Sequence, residues 1–183
     1  MISVHTVPSA FSPVDCDRLI DIARNAPASD ARLVGRQRDH NQRRSDLVWI
    51  DDVPEADWVM DRIIDTVRLA NREVYGFDLN AFHESAQVAR YGAERQGHFD
   101  WHSDIGDGRL ASQRKLTLVV QLSEPEDYEG GTLEIMPSAN PIPASRDRGA
   151  ATIFPSYLLH RVTPVDKGER HSLTIWAHGP AFR

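Results

Sequence analysis

The segment HFDWHSD places His98, Asp100, His102 and Asp104 at alternate positions. On an extended strand, side chains two apart face the same way. An imidazole and a carboxylate at that spacing can grip one metal ion from one side. The spacing does not choose between the His98/Asp100 pair and the His102/Asp104 pair, and an HxD taken alone is a weak signal. A third ligand, His160, would come from a strand remote in sequence. Two imidazoles and one carboxylate on one side of an octahedron leave three positions open. That donor set suits non-haem Fe(II) chemistry, in which the open positions take a cosubstrate and O2.

Three further features strengthen the reading. Arg170 lies ten residues after His160, and Gly130-Gly131 precede the run TLEIM. The stretch FPSYLLHRVTPVDKGERHSLTIW reads as strand, turn, strand, with Gly168 in the turn. If His160 and Arg170 occupy neighbouring antiparallel strands, both can point into one cavity. A guanidinium there can bind a carboxylate through two parallel hydrogen bonds. A cosubstrate with two carboxylic ends, one on the metal and one on Arg170, would span the gap.

Strands must position these groups, and the second half of the chain supplies them. ESAQVARY, KLTLVVQLS, GTLEIM, AATIF, HRVTPV and HSLTIWA are short β-type runs separated by Gly, Pro, Asp and Asn clusters. Repeated strands without intervening helical patterns predict an antiparallel sandwich or barrel. The first half reads as helical. Ser12-Pro13 is an N-cap followed by proline at the first helical position, and Leu19, Ile20 and Ala23 share a face of the helix that Pro27 ends. A second helix is predicted to start near Pro54. It carries Trp58, Val59, Ile63, Val67, Ala70 and Val74 at helical spacing and closes at Gly76. Between the helices lies a basic segment with Arg32, Arg36, Arg38, His40, Arg43 and Arg44. It reads as a solvated loop or edge strand, or as a flap that meets an anionic substrate or a peptide backbone. Residues 138–148 form a long loop with two prolines between strands.

A chain of 183 residues predicts one domain that buries about 70% of its unfolded surface. Residues 1–80 would form a helical support and 81–183 the core carrying the site. The net charge of −6 argues against a nucleic-acid partner. The single cysteine, Cys16, precludes an intramolecular disulfide and reads as a small core residue. The N-terminus has no basic region followed by an apolar one, so no signal peptide is expected. The run from Leu116 to Leu122, interrupted by Thr117 and Gln121, falls far short of the ~20 residues a membrane helix needs. A cytoplasmic protein without a membrane partner is expected.

YEGGTLEIM, FPSYLLHRVTPVDKGER and the HxD upstream resemble the 2-oxoglutarate and Fe(II)-dependent oxygenases, within them the prolyl 4-hydroxylase-like, PKHD-type hydroxylase branch. The resemblance covers roughly residues 84–178. It implies an α+β fold in which a double-stranded β-helix, a cupin-like jelly-roll barrel, is supported by the N-terminal helices. It implies His102, Asp104 and His160 as iron ligands and Arg170 as the anchor of the distal carboxylate of 2-oxoglutarate. It also implies Tyr91 as a second partner of that carboxylate, although the interval from Tyr91 to His102 is longer than is common in the branch. His102/Asp104 is preferred to His98/Asp100 because a glycine-containing turn follows it closely. The implied cofactors are Fe(II) and 2-oxoglutarate, with ascorbate as an accessory. The implied reaction uses O2, releases succinate and CO2, and hydroxylates a prolyl residue, a free amino acid or a similar small molecule.

The remaining residues are read around that site. Trp101 should face away from the ligands. Trp176 either lines the pocket or fills the barrel. Gln87 and Arg90 could reach the cavity mouth, but the surface is the preferred placement, and Arg161 and His171 are expected outward. His178 is expected to have no site role, and Thr163 and Lys167 to lie in a turn. Asp107 and Arg109 lie in a glycine-containing loop that could cover the site. Two competing functions use similar parts. A nucleic-acid oxidative demethylase would carry a second arginine soon after Arg170, where HSLTIW stands. A cupin-like isomerase or binding protein would have no need of Arg170.

Overall fold

The computed structural model describes residues 4–26, 29–30 and 42–182. Of the basic segment, Arg32, Arg36, Arg38 and His40 lie outside the described residues, whereas Arg43 and Arg44 lie within them. In chain order the elements are β1 (His5–Val7), α1 (Pro13–Asn25), β2 (Ser29–Asp30), β3 (Arg43–Arg44), β4 (Asp46–Trp49) and α2 (Asp57–Ala70). They continue with β5 (Gln87–Gly92), β6 (His98–His102), β7 (Arg114–Gln121), β8 (Tyr128–Gly130) and β9 (Leu133–Met136). The last are β10 (Ile142–Pro143), β11 (Ala151–Pro155), β12 (Leu159–Val162) and β13 (Val165–His178).

Both helices form for the reasons legible in the sequence. Ser12 Oγ accepts the Asp15 N–H at 3.1 Å while the Asp15 carboxylate accepts the Ser12 N–H at 3.0 Å. This reciprocal capping satisfies two donors that the first turn would otherwise leave orphaned. Pro13 occupies a position where no N–H is needed. α2 begins at Asp57 rather than near Pro54, runs into a π-helical turn over Asn71–Tyr75, and ends at Gly76 in the left-handed conformation. No helix among the described residues is long and apolar enough to cross a membrane.

The strands make two sheets that face each other without closing into a barrel. The major sheet runs β1-β11-β7-β13-β5-β4-β2, with β8 also paired to β13. The minor sheet runs β10-β9-β12-β6-β3. Successive residues of β7 and β13 face opposite sides of the major sheet. Leu116, Leu118, Val120, Leu173 and Ile175 pack with Leu19, Val59, Ile63 and Val67 of the helices. Tyr91, Val119 and Ala89 pack instead with Leu133, Ile135, Phe154 and Val162 between the sheets. Each fully buried aliphatic side chain contributes about 1.5–3 kcal/mol. The layers are thus helices, major sheet and minor sheet, and the site lies between the two sheets.

Three expectations are corrected here. The first half of the chain is not purely helical, because β1 to β4 all join the sheets. These strands have two to four residues, too few for any local periodicity to mark them, and β1, β3 and β4 pair with β11, β6 and β5, far along the chain. The loop over residues 138–148 contains β10, which pairs with β9. Gly168 lies inside β13 opposite Tyr128, with φ of 70°, and not in a turn. The chain reverses at Thr163-Pro164, between β12 and β13, and Lys167 is likewise a strand residue.

Candidate metal and carboxylate site

β6 delivers His102, and β12 delivers His160 directly opposite it. The next paired positions are Val162 and Phe99, so the register shifts between them. A bulge of this kind turns a strand locally and re-aims its side chains. The four residues at even spacing in HFDWHSD therefore do not share one face. Phe99 and His102 both line the cavity, with ring centroids 3.5 Å apart. Asp100 is exposed, and the His98 Nδ1 lies 2.9 Å from the Gln96 carbonyl. The structure brings neither to the site.

Asp104 follows the end of β6 and is fixed by its backbone. Its N–H donates to the Ser156 carbonyl at 2.9 Å, and its own carbonyl accepts from Arg114 Nη1 at 2.9 Å. Its Oδ1 lies 3.6 Å from His102 Nε2 and its Oδ2 lies 3.3 Å from His160 Nε2. The three candidate ligand atoms lie within 4.8 Å of one another. His102 Nδ1 sits 2.6 Å from the Asp100 carbonyl, and His160 Nδ1 sits 3.0 Å from the Leu158 carbonyl. A carbonyl only accepts, so each Nδ1 carries a proton, and when the ring is neutral its Nε2 is left to present a lone pair to a metal. Two neutral imidazole nitrogens and one carboxylate, all buried or nearly so, fit a divalent transition-metal ion.

The three groups shift one another's proton affinities. Burial pushes His102 down to about 4, with the neighbouring His160 adding to the shift and Asp104 opposing it. Burial alone would raise Asp104, but the charge and hydrogen bond of His160, then His102, hold it below the usual carboxylate range. Burial acts against the charge on His160, yet the Asp104 carboxylate raises it above its ordinary value. Thr117 Oγ1 donates to Asp104 Oδ2 at 2.7 Å and lies 3.0 Å from Ser156 Oγ.

Arg170 also reaches this cavity, but by a different route from the one expected. Its strand β13 does not neighbour β12. The two belong to opposite sheets, and His160 and Arg170 meet across the space between them. Arg170 pairs with Tyr91 of β5, and both are buried. Its Nε donates to Gln121 Oε1 at 3.1 Å and its Nη1 to Ser172 Oγ at 3.3 Å. No carboxylate among the described residues pairs with it. Gly131 makes room for it, since a Cβ there would lie 2.8 Å from Val165 Cγ2 and 3.3 Å from Arg170 Cδ. A buried guanidinium held by two neutral acceptors is suited to an incoming carboxylate.

The other residues resolve as follows. Trp176 lines the cavity; the Arg114 guanidinium lies 3.7 Å from its ring centroid, and its indole N–H is among the groups that favour the ionised form of Asp104. Gln87 is buried in the cavity wall and not on the surface, because its side of β5 is the one Tyr91 uses. His171 faces away from the cavity yet is buried, since that side of β13 is covered rather than open to water. Arg90 is a partly exposed hub bonded to Asp46, Glu94 and Glu169. Trp101 lies under the Arg161 guanidinium, and Arg161 pairs with Glu134 outside the cavity. His178 is buried against Glu84, which also holds Arg114. Asp107 and Arg109 lie in irregular backbone between β6 and β7. Sequence reasoning missed Thr117, Gln121, Ser156 and Arg114. Thr117 and Gln121 were visible as polar residues four apart in an apolar run, hence on one face of a strand.

Comparison with known proteins identifies the family. The family model of the 2OG-Fe(II) oxygenase superfamily matches residues 86–178. A PKHD-type hydroxylase from Hyphomonas neptunium is 44% identical over 71 residues, which is 39% of this chain and 31% of that protein. One from Alteromonas mediterranea is 43% identical over 83 residues, 43% of this chain and 37% of that protein. The matched region thus spans about a third of these curated relatives. The fold of a Pseudomonas putida prolyl-4-hydroxylase superposes with a TM-score of 0.77 at 22% identity, covering 98% of this chain and 94% of that one. A Trichoplax adhaerens prolyl hydroxylase, solved with a hypoxia inducible factor peptide fragment, gives 0.79 at 15% identity, covering 96% and 83%. With the match extending over half the chain and over every strand that lines the cavity except β3, this chain belongs to the 2OG-Fe(II) oxygenase superfamily.

Proposed function

We propose that this chain is a 2-oxoglutarate- and Fe(II)-dependent dioxygenase that hydroxylates a prolyl residue, a free amino acid or a similar small substrate. One observation carries the reading: two imidazole nitrogens and a carboxylate converge in the same cavity as a buried arginine that has no counter-ion among the described residues. In this reading His102, Asp104 and His160 hold the metal, Arg170 anchors the distal carboxylate of 2-oxoglutarate, and Tyr91 flanks it. Bound Fe(II) and 2-oxoglutarate would supply O2-dependent oxidation, with succinate and CO2 as coproducts. The Asp100 and Leu158 carbonyls set the histidine tautomers. Thr117 holds Asp104 ionised and oriented. Phe99, Val119, Leu133 and Val162 keep water from the reacting centre.

Residues 1–183 are taken as one oxygenase domain, cytoplasmic, with ascorbate as an accessory reductant. The peptide bound to the Trichoplax relative supports a peptidyl substrate as one member of the class. Aerobic incubation of the chain with Fe(II) and 2-oxoglutarate should form succinate, and an accepted substrate should stimulate it and gain one oxygen atom by mass. No succinate above a metal-free control would contradict the reading.

A further inference from the structure

The cavity has a second buried arginine that the proposed chemistry leaves unused. Arg43 of β3 is 8% exposed and lines the same cavity as the triad and Arg170. β3 pairs with β6 in the minor sheet, placing Arg43 opposite Phe99. After Ser45 the chain enters β4 of the major sheet, so Arg43 stands where one segment links the two sheets. Its guanidinium lies 4.4 Å from the Phe99 ring centroid, and its Nε donates to Ser45 Oγ at 2.8 Å. Stacking fixes the plane of the group and Ser45 occupies one donor. The Nη edge is left with no carboxylate among the described residues.

Charge balance decides what that edge is for. The charged side chains lining the cavity among the described residues, with the histidines neutral, are Arg43, Asp104 and Arg170. With a divalent ion and dianionic 2-oxoglutarate in place, Asp104 and one cosubstrate carboxylate balance the metal. The other carboxylate balances Arg170. Arg43 alone then lacks a counter-charge, and a buried unpaired charge is costly.

We infer that Arg43 is a specificity-determining residue that binds a carboxylate of the primary substrate, making the substrate an anionic amino acid or peptide. This rests on the oxygenase reading above. A terminal carboxylate and an acidic side chain offer the same chemistry, so the test uses two matched pairs of probes. The full chain, loaded anaerobically with Fe(II) and 2-oxoglutarate, is titrated calorimetrically with N-acetyl-L-proline against N-acetyl-L-prolinamide. N-acetyl-Pro-Glu-amide is then compared with N-acetyl-Pro-Gln-amide. The anionic member of one pair should bind about tenfold or more tightly than its neutral twin, the worth of one charge-assisted hydrogen bond. Arg43→Gln should bring the two members within about twofold, while Arg43→Lys should keep part of the preference. Thermal unfolding of both variants separates lost binding from lost folding.

No preference in either pair, whether both members bind or neither does, overturns the inference. So does a preference that survives in folded Arg43→Gln. A rise in the 2-oxoglutarate requirement larger than the rise in probe Kd would make Arg43 a cosubstrate anchor and also overturn it. If 2-oxoglutarate itself fails to bind the wild-type chain, the oxygenase reading has failed, an outcome distinct from normal 2-oxoglutarate binding without carboxylate preference.

Discussion

His102 and His160 are cross-strand partners on β6 and β12, with ring centroids 4.2 Å apart, and both Nε2 atoms face the Asp104 carboxylate. Their chain separation is large, so only the register of the minor sheet brings them together. The bulge immediately beyond this pair frees Phe99 to stack on His102. That stacking and the Asp100 carbonyl hold the ring from two sides. The candidate metal site thus depends on strand pairing as much as on its three candidate ligands.

Thr117 is the polar support of Asp104. Thr117→Val removes a hydrogen bond to an ionised group, worth about 1.5–3 kcal/mol, while keeping the side-chain shape. Metal affinity should fall roughly tenfold or more, as for other partners of metal ligands, with little change in fold. Competition with a chromophoric chelator measures it. An unchanged affinity would show that Ser156 and the backbone contacts suffice.

Arg170→Ala should raise the 2-oxoglutarate requirement by at least an order of magnitude and leave metal binding in place, since a buried charge-assisted pair is worth about 1.5–3 kcal/mol. Steady-state succinate formation against 2-oxoglutarate concentration, with metal content in parallel, reads both. An unaltered requirement would place the carboxylate anchor elsewhere.

Gly131→Ala tests the space beside Arg170. The backbone has φ of 58°, and the new Cβ would crowd Val165 and Arg170. The expected cost is about 1–3 kcal/mol of stability, together with a raised 2-oxoglutarate requirement. Urea unfolding and succinate assays check the two halves. A loss of stability without any change in cosubstrate requirement would separate Gly131 from the site.

The site's chemistry was legible in particular residues, and its geometry was not. HxD, His160 and Arg170 stand out as residue types at meaningful spacing. The choice between His98/Asp100 and His102/Asp104 could not come from period-2 alternation, because the bulge breaks that alternation within the segment. Arg170 was expected on the strand next to His160, but the two strands lie in opposite sheets; ten residues reach across as readily as around a hairpin. β3 and β4 could not be bounded because strands this short carry little pattern, so Arg43 was read only as part of a basic loop, edge strand or flap, and β3 is an edge strand of the minor sheet. The capped α1 and the long β7, whose signals are local, were legible almost residue by residue; β13 was legible over 171–177, while its first residues were read as a turn.

His171 carries a pH prediction. Burial pushes it down to about 4 from 6.5, and its Nε2 is buried without a hydrogen-bond partner among the described residues. The unfolded chain therefore takes up this proton first as pH falls. Stability is fully present above about 6.5, declines toward 4 and then levels, a loss of roughly 3 kcal/mol from this group. His171→Leu should flatten that part of the acid limb. Urea unfolding of both proteins from pH 7 to 4 measures the difference, and parallel pH profiles would refute the assignment.

The central claim is that His102, Asp104 and His160 hold Fe(II) where 2-oxoglutarate can chelate it. Anaerobic addition of Fe(II) and 2-oxoglutarate to the full chain, followed by visible absorption, tests it most directly. A weak metal-to-ligand band should develop in the wild type and in His98→Ala and be absent in His102→Ala. No band in the wild type, or a band that survives in His102→Ala and vanishes in His98→Ala, would contradict the claim.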